Sequence, residues 1–225
     1  MLSRFAGDTI CAMMRAMTRF LPYLFAILLL ISGPAHAAEI KRNDPALRDI
    51  ETYLSGLTTI AADFMQVAPD SSISTGKFYL MRPNKLRFQY DPPTPILMVA
   101  NGSYLTFYDY ELEQVNDIPL DDTIIGFLAR DAIKFDDSVK IEELEKSEGA
   151  IRVTISQADK PKDGKLTLEF SNNPMQLRNM IITDKLNQVT TVSLNNARFG
   201  LPLGAKLFEF DDPRIGGKLN KKRRT

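Results

Sequence analysis

Three observations predict a mainly β fold, an antiparallel sheet that curls on itself. Short runs of alternating apolar and polar residues recur from residue 58 onward. Each run is bounded by turn chemistry, such as Pro83-Asn84, Pro92-Pro93, Asn101-Gly102, Asp163-Gly164 and Asn172-Asn173-Pro174. Helical spacing is confined to two short segments. A sheet of about ten strands normally closes or has its inner face covered, and these two segments are the available cover.

The first residues read as an export signal. Arg15 and Arg19 form a positive n-region, residues 21–31 an apolar h-region, and Ala35-His36-Ala37 a small-x-small cleavage site. Residues 1–37 are therefore expected to be a cleaved signal peptide, with Met1 or Met17 as the start; an uncleaved anchor is the alternative, although the apolar run is short for a span. The mature chain, residues 38–225, is expected to be one domain in the periplasm. No cysteine follows the cleavage site, so the chain lacks the usual lipobox.

In the mature chain, Asn43 or Asp44 caps a helix with Pro45 in its first turn, and Leu47, Ile50, Leu54 and Leu57 form one apolar stripe. Residues 58–67 predict a strand. Residues 76–115 predict four or five more, joined by tight turns, with Phe78, Leu80 and Arg82 on one face and Lys77, Tyr79 and Met81 on the other. Asp121-Asp122-Thr123 predicts a second helix start, and Ile124, Ile125, Phe127 and Leu128 make that helix apolar on two sides. This suits either a buried helix or a lid over a cavity. Strands are expected at 150–156, 165–170, 177–183, 189–194 and 205–210.

Composition excludes several chemistries. Cys11 and His36 are the only Cys and His, and both lie in the signal. The mature chain therefore has no nucleophilic triad, no usual N/S zinc site and no disulfide. Removing Arg4, Arg15, Arg19 and Asp8 from 28 basic and 28 acidic residues leaves 25 and 27. Five of the 25 lie in a basic tail over residues 216–225, expected to be a mobile, solvated end or a contact with anionic lipid. The body is net acidic, which argues against nucleic acid as a partner. Phosphate-loop, dinucleotide and nucleophile-elbow motifs are absent. Carboxylates cluster at Asp109/Glu111/Glu113 (read as one strand face), Asp121/Asp122, Glu142/Glu143/Glu145 and Asp211/Asp212. They are read as solvated faces or caps, with a carboxylate-dependent hydrolase as a remote alternative. No cofactor or metal is called for.

What remains is apolar surface on a curved sheet. The candidate inward residues are Phe64, Phe78, Leu80, Leu86, Phe88, Tyr90, Leu97, Leu105 and Phe107.

The ordered series F-x-Q (Phe64 to Gln66), G-x-F-x-L-x-R-P (Gly76 to Pro83), R-F-x-Y (Arg87 to Tyr90) and N-G-x-x-L-x-x-Y-D-x-x-x-x-Q-V (Asn101 to Val115) resembles the outer-membrane lipoprotein carrier family, LolA. The resemblance implies an incomplete antiparallel β-barrel covered by a short-helix lid. It also implies a monomeric, non-enzymatic periplasmic chaperone that buries the acyl chains of lipoproteins in an apolar cavity. The implied partners are acylated lipoproteins, an inner-membrane lipoprotein-releasing ABC transporter and an outer-membrane receptor. A carrier or sensor of another lipid on the same fold is the alternative. The expected lid residues are Leu47, Ile50, Leu54, Ile124, Ile125, Phe127 and Leu128. The motif's arginine falls on Arg82, where the resemblance implies a latch between sheet and lid; a solvated turn residue is the other reading. Two departures stand out: the family often has Trp where Phe88 stands, and the Thr-Pro often found near Thr123 is missing.

Overall fold

The computed structural model describes residues 42–212. The expected signal peptide and the basic tail at 216–225 lie outside the described residues. Six strands form a meander: β1 (Thr59–Val67), β2 (Ile73–Met81), β3 (Lys85–Tyr90), β4 (Ile96–Asn101), β5 (Tyr104–Asp109) and β6 (Gln114–Pro119). Five more follow: β7 (Val139–Ser147), β8 (Ala150–Gln157), β9 (Gly164–Asn172), β10 (Met175–Asp184) and β11 (Val189–Phe199). All belong to one sheet in the order β6-β5-β4-β3-β2-β1-β11-β10-β9-β8-β7. Every pairing is antiparallel, including the long-range β1–β11 pair. The strongly curved sheet stays open, with β6 and β7 as its two edges.

Side-chain alternation gives the sheet a concave and a convex face. Phe64, Phe78, Leu80, Leu86, Phe88 and Leu105 belong to the main buried cluster on the concave side. Gly76 sits opposite Phe64 in the register of β1 and β2. A Cβ there would lie 2.2 Å from the Gln89 carbonyl oxygen and 2.7 Å from the Phe64 ring, so the aromatic occupies space that only glycine leaves open.

Helix α1 (Pro45–Gly56) follows its sequence signals. Asp44 is the N-cap, its carboxylate accepting the Ala46 N–H at 2.9 Å. The Lys146 ammonium ion-pairs with the same carboxylate at 2.6 Å, tying the helix start to β7. The apolar stripe Leu47, Ile50 and Leu54 is fully buried, and Tyr53 accepts the Leu177 N–H at 3.0 Å where β10 bulges.

The connection from β6 to β7 runs from one edge of the sheet to the other. It carries a 3-10 turn (Leu120–Asp122) and a single-turn helix α2 (Gly126–Ala129), less helix than Asp121-Asp122-Thr123 predicts. At Gly126 a Cβ would fall 2.2 Å from the Leu120 carbonyl oxygen, which fixes this tight arrangement. Ser55 Oγ donates to the Ile133 carbonyl and the Glu51 carboxylate accepts the Phe135 N–H, so α1 and the connection hold each other.

The strand expected at 205–210 is instead a 3-10 turn (Ala205–Phe208). Residues after β11 cross the convex face as a strap. Phe208 is fully buried there with Leu97, Val99 and Tyr108. Leu97 therefore belongs to the convex cluster and not to the inward set. The register pairs Leu97 with Tyr108 and Met98 with Phe107, so Leu97 and Phe107 face opposite sides. The carboxylates expected to alternate along a strand at Asp109, Glu111 and Glu113 lie at the β5–β6 turn, where Asp109 accepts the backbone N–H of Glu111 and Leu112 and Glu113 has φ 52°. Among the described residues no cluster of three or more His, Cys, Asp or Glu is placed to hold a metal.

Candidate functional site: a covered cavity on the concave face

A cavity of about 280 Å³ lies between the concave face and the β6–β7 connection. Its sheet wall includes Leu86 and Phe88 from β3, Met98 from β4, Leu105 from β5, Ile182 from β10 and Val192 from β11. Thr123, Ile124 and Ile125 form the roof. Gln66 and Thr190 add polar groups, and among the described residues no charged side chain lines the space.

The expected inward residues separate into four groups. Leu86, Phe88 and Leu105 line the cavity. Phe64, Phe78 and Leu80 are buried beside it in the solid part of the core, and Tyr90 is packed against that core. Phe64 meets Phe88 edge-on at 5.5 Å and Tyr90 at 5.0 Å, and Phe78 lies 4.6 Å from Phe88. Phe107 shares the Leu105 side of β5 near the open edge and is half-buried. Leu97, on the convex side, is the misplaced one.

The expected lid residues also divide. Ile124 and Ile125 roof the cavity. Leu47, Ile50, Leu54, Phe127 and Leu128 fill the core beside it. Met98, Ile182 and Val192 complete the wall and lie outside the nine inward candidates. Their signal was present, because Met98 is opposite Phe88 across β3–β4 and Val192 opposite Gln66 across β1–β11. Register, unlike pattern within one strand, is what assigns them.

Arg82 ends the concave row Phe78, Leu80. Its Nε donates to the Leu128 carbonyl at 2.9 Å. Its Nη1 donates to the Leu57 carbonyl at 2.8 Å and also to the Leu54 carbonyl. Leu54 and Leu57 close α1, and Leu128 lies in the single turn of α2. Carbonyls at helix C-termini lack intrahelical donors and carry the negative end of the helix dipole, so a cation is well placed. One side chain on the sheet thereby bonds both covering helices. Burial lowers its pKa from 12.5 to about 10, with Asp131 opposing the shift; the group stays charged at neutral pH. Nη2 is buried with no hydrogen-bond partner among the described residues. The neighbouring Asn84 N–H donates to the Ala129 carbonyl at 2.7 Å, a second tie from the β2–β3 turn to α2.

Comparison with known proteins identifies a family. The family described as "Outer membrane lipoprotein carrier protein LolA" matches residues 55–211. The outer-membrane lipoprotein carrier protein of Methylococcus capsulatus is 31% identical, over 85% of this chain and 93% of that one. The protein of the same name from Legionella pneumophila (strain Lens) is 28% identical, over 85% and 95%. Among solved structures, the LolA superfamily protein NE2245 from Nitrosomonas europaea aligns with a TM-score of 0.41 at 12% identity, over 73% of this chain and 98% of that one. With 157 consecutive residues matched, spanning the end of α1, all eleven strands and the convex strap, the chain belongs to the LolA family of outer-membrane lipoprotein carrier proteins.

Proposed function

We propose that the protein carries acylated lipoproteins through the periplasm, from an inner-membrane releasing transporter to an outer-membrane receptor, acting as a monomer without catalysis. The observation that carries this reading is an apolar, roofed cavity on a sheet whose two covers are bonded to it through one arginine. Each buried methylene is worth about 0.8 kcal/mol, so a lipid anchor of several tens of carbons needs a dry site to cross water. The cavity, at about 280 Å³, lies just below the ~300–1,000 Å³ usual for small-molecule sites. A multiply acylated anchor therefore requires the roof at Thr123, Ile124 and Ile125 to move.

Arg82 is the latch of the closed state in this reading. Each charged hydrogen bond lost is worth roughly 1.5–3 kcal/mol. Cargo that displaces the covers forfeits these bonds, so closure competes with cargo and keeps affinity low enough for release. The test is a transfer assay from loaded carrier to membrane-bound receptor. Arg82→Leu should load normally and release at least tenfold more slowly. Normal loading with normal release by the folded variant would remove Arg82 from this role. A wild-type protein that takes up no acylated cargo would sink the carrier reading itself. No helix among the described residues is long and apolar enough to cross a membrane.

A further inference from the structure

The cavity is apolar but not uniformly so: Gln66 and Thr190 on its sheet wall and Thr123 in its roof are polar, and the Thr123 hydroxyl is taken up by the Leu120 carbonyl and the Gly126 N–H. Gln66 lies near the end of β1, on the concave face with Phe64. Thr190 is diagonal to it on β11, where Gln66 pairs with Val192. Ser74 is its direct partner on β2, and the Ser74 hydroxyl shares a hydrogen bond with Thr94 at 3.0 Å. Tyr90, one strand further along, donates its O–H to Gln66 Oε1 at 2.7 Å. Burial pushes the Tyr90 phenol up to about 12, with its bond to Gln66 opposing, so it stays a donor at any ordinary pH. With Oε1 occupied, the Gln66 amide is held in one orientation, and its two N–H donors are left for a ligand.

These residues form an uncharged polar arc across β3, β2, β1 and β11. Below it the wall is hydrocarbon, from Phe88 to Leu86 and Leu105. Among the described residues no cation lines the cavity to neutralise a phosphate or carboxylate, and desolvating an unpaired anion there is costly. Few, fixed polar groups in an apolar pocket orient a ligand more than they hold it. We infer that Gln66, oriented by Tyr90 and assisted by Thr190, reads the neutral ester or amide carbonyl that joins an acyl chain to its headgroup. The site thereby selects neutral acyl-glyceryl anchors over free fatty acids. This rests on the lipid-carrier reading above and adds a specificity element to it.

The experiment separates the two. N-phenyl-1-naphthylamine, an uncharged apolar fluorophore, reports the hydrocarbon part of the cavity. Monopalmitoylglycerol and palmitate are then compared as competitors at pH 8, below their aggregation limits. In the wild type the ester should displace the fluorophore at a concentration at least tenfold lower than the carboxylate. Gln66→Leu with Thr190→Val should cut the ester's advantage at least fivefold, read as the ratio of the two competitors' displacement concentrations within the same variant. Gln66→Glu keeps the acceptor for Tyr90 but removes both amide donors; it should weaken the ester at least tenfold and serves if the double variant does not fold. An unchanged ester preference in the folded double variant, or an unchanged ester affinity in folded Gln66→Glu, overturns the inference. A wild type that binds neither fluorophore nor ester overturns the carrier reading along with it.

Discussion

The same sheet is greasy on both faces, and the two faces are covered differently. On the convex side the strap after β11 lays Phe208 onto Leu97, Val99 and Tyr108, and the contact is filled. Arg87 fastens the strap by donating to the Leu207 carbonyl at 3.1 Å. On the concave side the cover is bonded at its ends, through Arg82 and Asn84, yet leaves about 280 Å³ unfilled beneath Thr123, Ile124 and Ile125. Close packing is the rule inside proteins, so the filled side reads as stability and the unfilled side as capacity. Aromatic side chains are present on both; what differs is whether the chain supplies the matching volume.

Phe208→Ala and Phe88→Ala break this contrast most sharply. Each should cost about 3–5 kcal/mol of unfolding free energy. Only Phe88→Ala should also change the affinity and stoichiometry of an apolar fluorophore, because only Phe88 lines the cavity. Equal binding changes in both, measured beside chemical denaturation, would abolish the distinction. Gly76→Ala comes next. Its added methyl meets the Gln89 carbonyl and the Phe64 ring, and overpacking of this kind costs about 1–3 kcal/mol. Thermal melts should show the loss, and Phe64→Leu in the same chain should recover part of it.

Gly126→Ala acts on the cover alone. The new Cβ cannot coexist with the Leu120 carbonyl at 2.2 Å. Hydrogen exchange over residues 120–130 should speed up roughly tenfold, equivalent to about 1.4 kcal/mol of local opening, while β1, β2 and β11 keep their protection. Uniform loss of protection would show that the cover does not open independently of the sheet.

The smallest effect belongs to Asp44→Ala, at the foot of α1. The Lys146 hydrogen bond, then the Ala46 N–H, holds the Asp44 carboxyl below its ordinary value of 3.8. A depressed carboxylate contributes stability above its unfolded pKa and loses it as pH falls through the folded one. The melting difference between wild type and Asp44→Ala should thus be present at neutral pH and close in strong acid. A difference that persists below the folded pKa would trace to the helix backbone and not to the charge.

Much of this architecture is legible in the sequence because local chemistry and tertiary demand agree. Pro45 after Asp44 starts α1, Asn84 and Asn187 take the positive φ that their turns require, and Phe78 and Leu80 alternate inward. Legibility fails where alternation carries no sign. Ile96-Leu97-Met98-Val99-Ala100 is apolar at every position because both faces of β4 are covered, so Leu97 cannot be told from Met98 until pairing with β5 is known. The strap fails for a related reason. Leu207-Phe208 looks like strand in isolation, and only the waiting surface of β4 and β5 makes a single buried turn enough. Arg82 is readable as an anomaly on an apolar row. That its acceptors come from both α1 and α2 is a long-range fact: Leu54 is 28 residues before it and Leu128 46 after.

The unclosed seam of the sheet has a further consequence for how copies of the protein behave together in solution. Edge strands offer unpaired backbone groups to any passing chain, and β6 and β7 are both edges. Each is guarded in its own way. β7 carries Lys140, Glu142, Glu143, Glu145 and Lys146, with Glu142 held by Lys140 and Ser156 and Glu145 lying 3.7 Å from Arg152. β6 ends on Pro119, which has no N–H to offer, and exposes Asp117. The Glu142, Glu143 and Glu145 cluster, which looks like chemistry in the sequence, thus lines an edge where a second copy would otherwise pair. Taking these charged side chains out of water against another strand is costly, which disfavours strand-to-strand polymerisation along the open edge.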